Sequence, residues 1–168
     1  MHVCYVSEAE ALQLAPRPDW ALISITEPGR DAPLVAPLSW GALLRIRFAD
    51  AEYDAAMLAR LSARGVHVDP DAKGFPCSRH AVTIRAFLTR LDAAPHITGL
   101  VIHCHAGQRR SAAVAKYACE TLGAAGFDPS YQGYNKTVYA LLRNPDAFAM
   151  STPKRSAVAR ICRWLGLR

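Results

Sequence analysis

The chain alternates between two hydrophobic patterns, one typical of buried strands and one typical of helices. Short apolar runs with β-branched members predict strands, at residues 2–6, 20–25, 43–48 and 97–102. Capping signals and helical spacing of apolar residues predict helices, at residues 7–12, 52–64, 78–91, 111–122, 135–143 and 151–165. Clusters of Pro, Gly and Asp predict loops, at residues 30–37 and 66–77. This alternation predicts one α/β domain over residues 1–168, with a mainly parallel sheet flanked by helices.

Capping residues mark the ends of several predicted helices. Ser7 and Glu10 have the spacing of a capping box, Ser78 is a candidate N-cap, and Gly123 is suited to a C-cap. The helix over residues 52–64 is expected to present one apolar face, formed by Met57, Leu58 and Leu61. In such a fold the functional loops follow the carboxyl ends of the strands.

Composition and charge narrow the function classes. Of the 168 residues, 51% are hydrophobic, and no run approaches the eighteen consecutive apolar residues of a membrane span. The first residues lack the pattern of a signal peptide, so a cytoplasmic location is expected. The net charge is +6, but the arginines are scattered and no basic run is interleaved with aromatics. Nucleic acid is therefore not expected as a partner.

The five cysteines, at positions 4, 77, 104, 119 and 162, form no CxxC pair and no regular framework. Reduced thiols are expected, and a zinc site is not. Cys4, Cys119 and Cys162 lie in apolar surroundings, typical of small core residues. Only Cys104 has the surroundings of a reactive thiol.

Cys104 follows the predicted buried strand at 97–102, and a Gly-containing loop leads from it to Arg110, where a helix is predicted to begin. A strand, a loop with Gly and a helix N-terminus together form a cradle for an oxyanion. Cys162 and Arg168 have the same spacing, but they lie in a predicted amphipathic helix with no preceding strand. The context, rather than the spacing alone, distinguishes Cys104.

Each residue of this loop has an expected role. Arg110 and the helix N-terminus favour the thiolate of Cys104, which is expected to be open to solvent and to act as the nucleophile. The guanidinium of Arg110 can bind two phosphate oxygens at once. Ser111 is expected to hydrogen-bond the thiolate, and His103 to orient the loop and tune the thiol. The substrate would bind the backbone N–H groups of the loop, formed by His105, Ala106, Gly107, Gln108, Arg109 and Arg110.

The pattern His103-Cys104-x-x-Gly107-x-x-Arg110-Ser111 resembles the signature of the cysteine-dependent protein tyrosine phosphatases. It is most similar to the compact dual-specificity-like members found in bacteria. The resemblance implies a phosphatase-like fold, a phosphorylated protein substrate, and hydrolysis through a cysteinyl-phosphate without a metal or other cofactor. The chain departs from the family in carrying Gln108 and Arg109 in the loop and in lacking a phosphotyrosine-stacking motif.

The resemblance also implies an aspartic acid that protonates the leaving group. Asp50 fits by context, because the strand predicted over residues 43–48 ends just before it. Asp71 fits by its distance from the cysteine, and it lies in a loop with Pro and Asp that could act as a lid. Asp54 and Asp69 are further candidates. We prefer Asp50, with Asp71 as the alternative general acid.

Three functions remain open from the sequence. The first is a protein tyrosine or dual-specificity phosphatase. The second has the same chemistry on a phosphoinositide or small phosphorylated molecule, which the extra cations His105 and Arg109 would suit. The third is a phosphate-binding module without turnover. The sequence predicts neither the physiological substrate nor the oligomeric state.

Overall fold

A computed structural model describes residues 1–34 and 37–149 of the chain. Its centre is a four-stranded sheet in the order β1-β4-β2-β3, in which every neighbouring pair is parallel. The strands are β1 His2–Ser7, β2 Trp20–Thr26, β3 Ala42–Arg47 and β4 Gly99–Cys104. The predicted α/β architecture with a parallel sheet flanked by helices is confirmed.

The helices connect the strands and cover the sheet. They are α1 Glu8–Ala11, α2 Ala55–Ala63, α3 Ser78–Asp92, α4 Arg110–Leu122 and α5 Lys136–Arg143, with a 3-10 turn at Pro37–Ser39. Among the described helices none is long and apolar enough to cross a membrane. The helix predicted over residues 151–165 and Cys162 lie outside the described residues.

The central strand β4 is buried along its whole length because both faces of the sheet are covered. On one face, Ile23, Ile102 and Cys104 pack in a core completed by α3, α4 and α5. On the other face, Leu22 and Val101 pack in a smaller cluster with apolar residues from outside the strands, among them Leu12, Ala32, Leu34 and Trp40. An apolar central strand of this kind is what a parallel sheet requires.

The helix caps predicted from the sequence are partly confirmed. The capping box of Ser7 and Glu10 is present, and Gly123 ends α4 with a φ of 59°. By contrast, the N-cap of α3 is Cys77, and Ser78 is its first helical residue. The helix expected from residue 52 begins at Ala55, because the Asp54 carboxylate accepts the N–H of Met57 and caps it there.

The expected apolar face of α2 is only partly buried. Leu58 is in the interior, whereas Met57 is 40% exposed. The helix therefore rests on the protein through a narrower stripe than its sequence pattern indicated.

Gly126 allows the chain after α4 to run against β1. Its φ is +126°, and a β-carbon there would overlap the carbonyl of Val3. The N–H of Val3 donates to the Ala125 carbonyl at 2.8 Å, which fixes the close approach. A side chain at position 126 is therefore excluded both by backbone conformation and by space.

We expect Gly126→Ala to lower the free energy of unfolding by about 2 to 4 kcal/mol, because strain and overlap combine. The control is Gly65→Ala, where φ is +76° but no atom lies within 4 Å of the added methyl. There only the backbone cost of about 1 kcal/mol is expected. Urea unfolding of both variants measures the difference, and equal losses would contradict the close-approach argument.

Candidate active site

The loop that follows β4 is shaped by a glycine and held against the end of β1. Gly107 has a φ of 72°, and a β-carbon there would overlap the backbone of Val6 and Ser7. The carbonyl of His105 accepts the N–H of Glu8 at 3.2 Å, which ties the loop to the start of α1. Residues 105–109 therefore turn tightly between the end of β4 and the first residue of α4.

The thiol of Cys104 lies inside the protein at the N-terminal end of α4. Cys104 is 2% exposed, and its Sγ is 3.2 Å from the hydroxyl oxygen of Ser111, which is also buried. The structure brings these two predicted residues together. The expectation of a thiol open to solvent is wrong, because β4 ends inside the core and carries Cys104 with it.

Arg110 is a buried cation with two of its three nitrogens engaged. It is 3% exposed; Nη1 donates to the Phe48 carbonyl at 2.6 Å, and Nη2 lies 2.6 Å from the Glu27 carboxylate. The buried Nε has no hydrogen-bond partner among the described residues. Such an unsatisfied buried donor costs about 1 to 3 kcal/mol. A ligand oxygen at Nε would remove that cost.

Glu27 is a site residue that the sequence analysis missed. It begins a tight turn in which Pro28 and Gly29 are the central residues, with a φ of 84° at Gly29. The turn is closed by the Arg30 N–H to the Glu27 carbonyl at 3.3 Å and by the Thr26 hydroxyl to the Arg30 carbonyl at 2.6 Å. An acidic residue directly after a strand next to β4 was the available signal.

Arg109 reaches away from the loop to two carboxylates. Its Nε is 3.2 Å from Asp50, and its Nη2 is 3.1 Å from Glu52. Asp50 is therefore held beside the phosphate-binding loop that the sequence predicted. These two carboxylates therefore balance the positive charge of Arg109.

Asn135 is fully buried and hydrogen-bonds to three segments of the chain. The sequence predicted it only as the start of a helix. Its Nδ2 donates to Asp50 at 2.7 Å and to the Ala51 carbonyl at 3.1 Å. Its Oδ1 accepts the Val138 N–H and so caps α5, and its own N–H donates to the Arg109 carbonyl at 3.1 Å. No local sequence signal distinguishes this role from that of an ordinary cap.

The other candidate acids make different contacts. Asp71 pairs with Arg79 at 2.6 Å, and that guanidinium lowers the pKa of its carboxyl group. Asp54 caps α2, and Asp69 accepts the N–H groups of Asp71 and Ala72. Of the four aspartates, Asp50 alone has a hydrogen bond or ion pair with residues 103–111 in the described part of the chain.

His103 is a buried, neutral residue behind the loop. It is 0% exposed, and neither ring nitrogen has a hydrogen-bond partner within the described ranges. Burial lowers the pKa of its imidazole to about 4, against a smaller raising effect of Glu8. A base this weak is unsuited to proton transfer at neutral pH. The expected role of His103 in orienting the loop and tuning the thiol stays a prediction.

The remaining loop residues leave their side chains at the surface, and among them His105, Ala106 and Gln108 are exposed. The Gln108 carbonyl accepts the hydroxyl of Tyr131 at 3.0 Å, which holds this side of the loop in place. The conformation of the loop is therefore held by backbone contacts more than by these side chains.

Asp71, Cys77 and His80 have ligand-type atoms within 4.8 Å of one another. These atoms already have partners: Asp71 binds Arg79, and His80 Nδ1 accepts the Cys77 N–H at 3.2 Å. Burial also raises the pKa of the Cys77 thiol. The cluster lies at the positive end of α3, which disfavours a cation. It is explained as the N-terminal cap of that helix.

Comparisons of the chain with protein-family models, with curated proteins and with solved structures gave no match. What the protein does is therefore inferred from the residues of this site.

The buried imidazole of His103 predicts a specific dependence of stability on pH. In the unfolded chain it takes up a proton near pH 6.5, whereas in the folded protein it stays neutral down to about pH 4. The titration of His103 therefore leaves the free energy of unfolding unchanged above pH 6.5. It lowers that free energy by about 3 kcal/mol as the pH falls from 6.5 to 4. His103→Gln should lose that much less stability than wild type over this interval, as measured by urea unfolding at pH 7 and pH 4.

His67→Gln is the matched control, because His67 lies on an exposed loop. It should keep the pH dependence of the wild-type protein. If His103→Gln also keeps it, His103 is not the titrating group.

Proposed function

We propose that the protein is a phosphomonoester hydrolase of the cysteine-dependent tyrosine or dual-specificity phosphatase type. The observation that carries the proposal is the buried Arg110, whose Nε–H has no partner in the described residues and which begins the helix next to Cys104. An arginine, a helix N-terminus and a Gly-shaped loop provide donors for a tetrahedral dianion. The adjacent thiol provides the nucleophile.

In the first step the thiolate of Cys104 attacks phosphorus, and the P–S bond forms as the ester P–O bond breaks. The carboxyl group of Asp50 gives its proton to the leaving oxygen and becomes a carboxylate. Arg110 binds the phosphoryl oxygens while its guanidinium stays fixed by Glu27 and Phe48. The donors are then in place before charge develops.

In the second step the Asp50 carboxylate takes a proton from water as the water oxygen attacks phosphorus. The P–S bond breaks, and phosphate and the thiolate are released. The hydroxyl of Ser111, 3.2 Å from Sγ, stabilises the departing thiolate by a hydrogen bond. Asp50 ends protonated and the thiolate is free, so the cycle closes.

Two other functions share parts of this site. Phosphoinositide or small-molecule hydrolysis gained support from His105 and Arg109 as extra cations, and of these two Arg109 pairs with Asp50 and Glu52. A binding module without turnover needs no nucleophile or acid. The presence of Cys104, Ser111, Arg110 and Asp50 around one loop supports catalysis instead.

Cys104→Ser should abolish hydrolysis of an aryl phosphate but keep the binding of inorganic phosphate, because the expected donors are mostly backbone. Arg110→Lys should be severely impaired, since an ammonium group cannot replace the guanidinium fork. Assays of phosphate release and calorimetric titration with inorganic phosphate measure the two effects. Appreciable turnover by Cys104→Ser would overturn the mechanism.

Asp50→Asn should slow hydrolysis of a phosphotyrosine peptide by about two to four orders of magnitude, the range of general acid catalysis. The loss should be smaller for an aryl phosphate with a good leaving group, which needs less protonation. Asp71→Asn is the matched variant, and its rate should change by less than about tenfold. A large loss that depends on the leaving group in Asp71→Asn, and not in Asp50→Asn, would assign the acid to Asp71.

A further inference from the structure

A groove runs along the outer edge of the sheet, beside the candidate active site. β3 is the edge strand, and the groove lies between it, the turn at Pro28 and Gly29, and the start of α3. We call it the β3 groove. Arg45 and Arg47 enter it from β3, and Arg79 enters it from α3.

The wall of the β3 groove adjoins, along the chain, the two residues that hold Arg110. Pro28, on its wall, follows Glu27, whose carboxylate pairs with Arg110. Arg47, also on its wall, precedes Phe48, whose carbonyl accepts from Arg110. The groove therefore begins one residue along the chain from each partner of Arg110.

The groove carries more positive than negative charge. Arg47 pairs with Asp31, and Arg79 pairs with Asp71, both at 2.6 Å. Arg45 donates to the uncharged carbonyl of Ala32 at 2.8 Å and has no ion pair among the described residues. Burial lowers the pKa of the imidazole of His80, so this residue adds no charge at neutral pH.

The two ion pairs of the groove are exchangeable. The side chains of Arg47 and Arg79 are 52% and 65% exposed. Exposed pairs of this kind contribute only about 0 to 1 kcal/mol. The carboxylates of Asp31 and Asp71 therefore occupy positions that carboxylates of a ligand could take over.

The edge strand also offers backbone donors along the groove. The Phe48 N–H donates to the Thr26 carbonyl of β2, and successive residues of a strand face opposite neighbours. The N–H groups of Arg45 and Arg47 therefore face away from β2, whereas past the end of the strand the Ala49 N–H already donates to the Gly74 carbonyl at 2.8 Å. An extended peptide can add to such an edge, with side chains selected by the flanking groups.

We propose that the β3 groove binds an extended acidic segment that flanks the phosphorylated residue of a protein substrate. The inference rests on the proposed phosphatase function and names its substrate class. Charge complementarity with Arg45, Arg47 and Arg79, together with the β3 backbone N–H groups that face away from β2, favours a peptide over a compact polyphosphate.

The test compares two phosphotyrosine peptides that differ only in acidic flanking residues or their amide equivalents. For wild type, kcat/KM should be about tenfold higher for the acidic peptide at low salt, as expected for complementary charges. In the double variant Arg45→Gln, Arg79→Gln the ratio should fall toward one. Because each ratio is taken within one protein, any change in the chemical step cancels.

Two further variants sharpen the comparison. Arg60→Gln removes one positive charge from the exposed surface of α2 and should leave the ratio unchanged. Asp31→Asn removes the internal partner of Arg47 and should raise the ratio severalfold. An equal loss in Arg60→Gln would mean that net charge, and not the groove, sets the preference.

A binding measurement separates this inference from the phosphatase proposal. Fluorescence anisotropy of the two labelled peptides with the Cys104→Ser protein reports docking without turnover. A preference for the acidic peptide that depends on Arg45 and Arg79 supports the groove even if wild type hydrolyses nothing. A wild-type ratio near one, or inositol hexakisphosphate hydrolysed in preference to both peptides, would overturn it.

Discussion

The buried guanidinium of Arg110 is the contact on which the rest of the site depends. It joins the ends of three strands: Glu27 follows β2, Phe48 follows β3, and Arg110 itself follows the loop after β4. Burying a charge is costly unless it is paired and hydrogen-bonded. The strands must therefore stay in their parallel register, since a shift of any one would separate the cation from a partner.

The same edge of the sheet carries polar groups that folding leaves unsatisfied. The Nε of Arg110 and both ring nitrogens of His103 have no partners in the described residues. Their effects differ, however. The unsatisfied Nε of Arg110 is the donor on which the proposed binding of a phosphate oxygen depends. His103 lies behind the loop, and burial keeps its imidazole neutral, so it adds no further charge to the interior.

The sequence predicted the site residues that lie close together along the chain. It missed those that the fold brings together from distant segments. The strand, loop and helix around Cys104 follow one another directly, so their pattern was visible. Glu27 lies far from Arg110 along the chain, and the pairing of β2 with β4 makes them neighbours. Asn135 lies 85 residues from Asp50, and its capping role concealed its second hydrogen-bonding role.

The choice between Asp50 and Asp71 illustrates the same limit. Distance along the chain favoured Asp71 and strand context favoured Asp50, and neither signal shows which carboxylate lies beside the loop after β4. In the structure, Arg109 pairs with Asp50, while Asp71 pairs with Arg79 on the surface. The first residue of α2 was misplaced for a similar reason. The helix begins after the residue that caps it, and that residue is Asp54.

Asn135 gives this arrangement a further consequence for how catalysis would proceed. Its amide donates to Asp50 and Ala51, while its backbone N–H donates to the carbonyl of Arg109. The segment carrying Asp50 is thus bonded to the loop after β4 through one buried residue, and Arg109 adds an ion pair. Moving Asp50 away from the loop would break both its hydrogen bond with Asn135 and its ion pair with Arg109. If Asp50 acts as the proposed general acid, it does so from a preorganised position, which lowers the entropic cost of reaction without the closing of a lid.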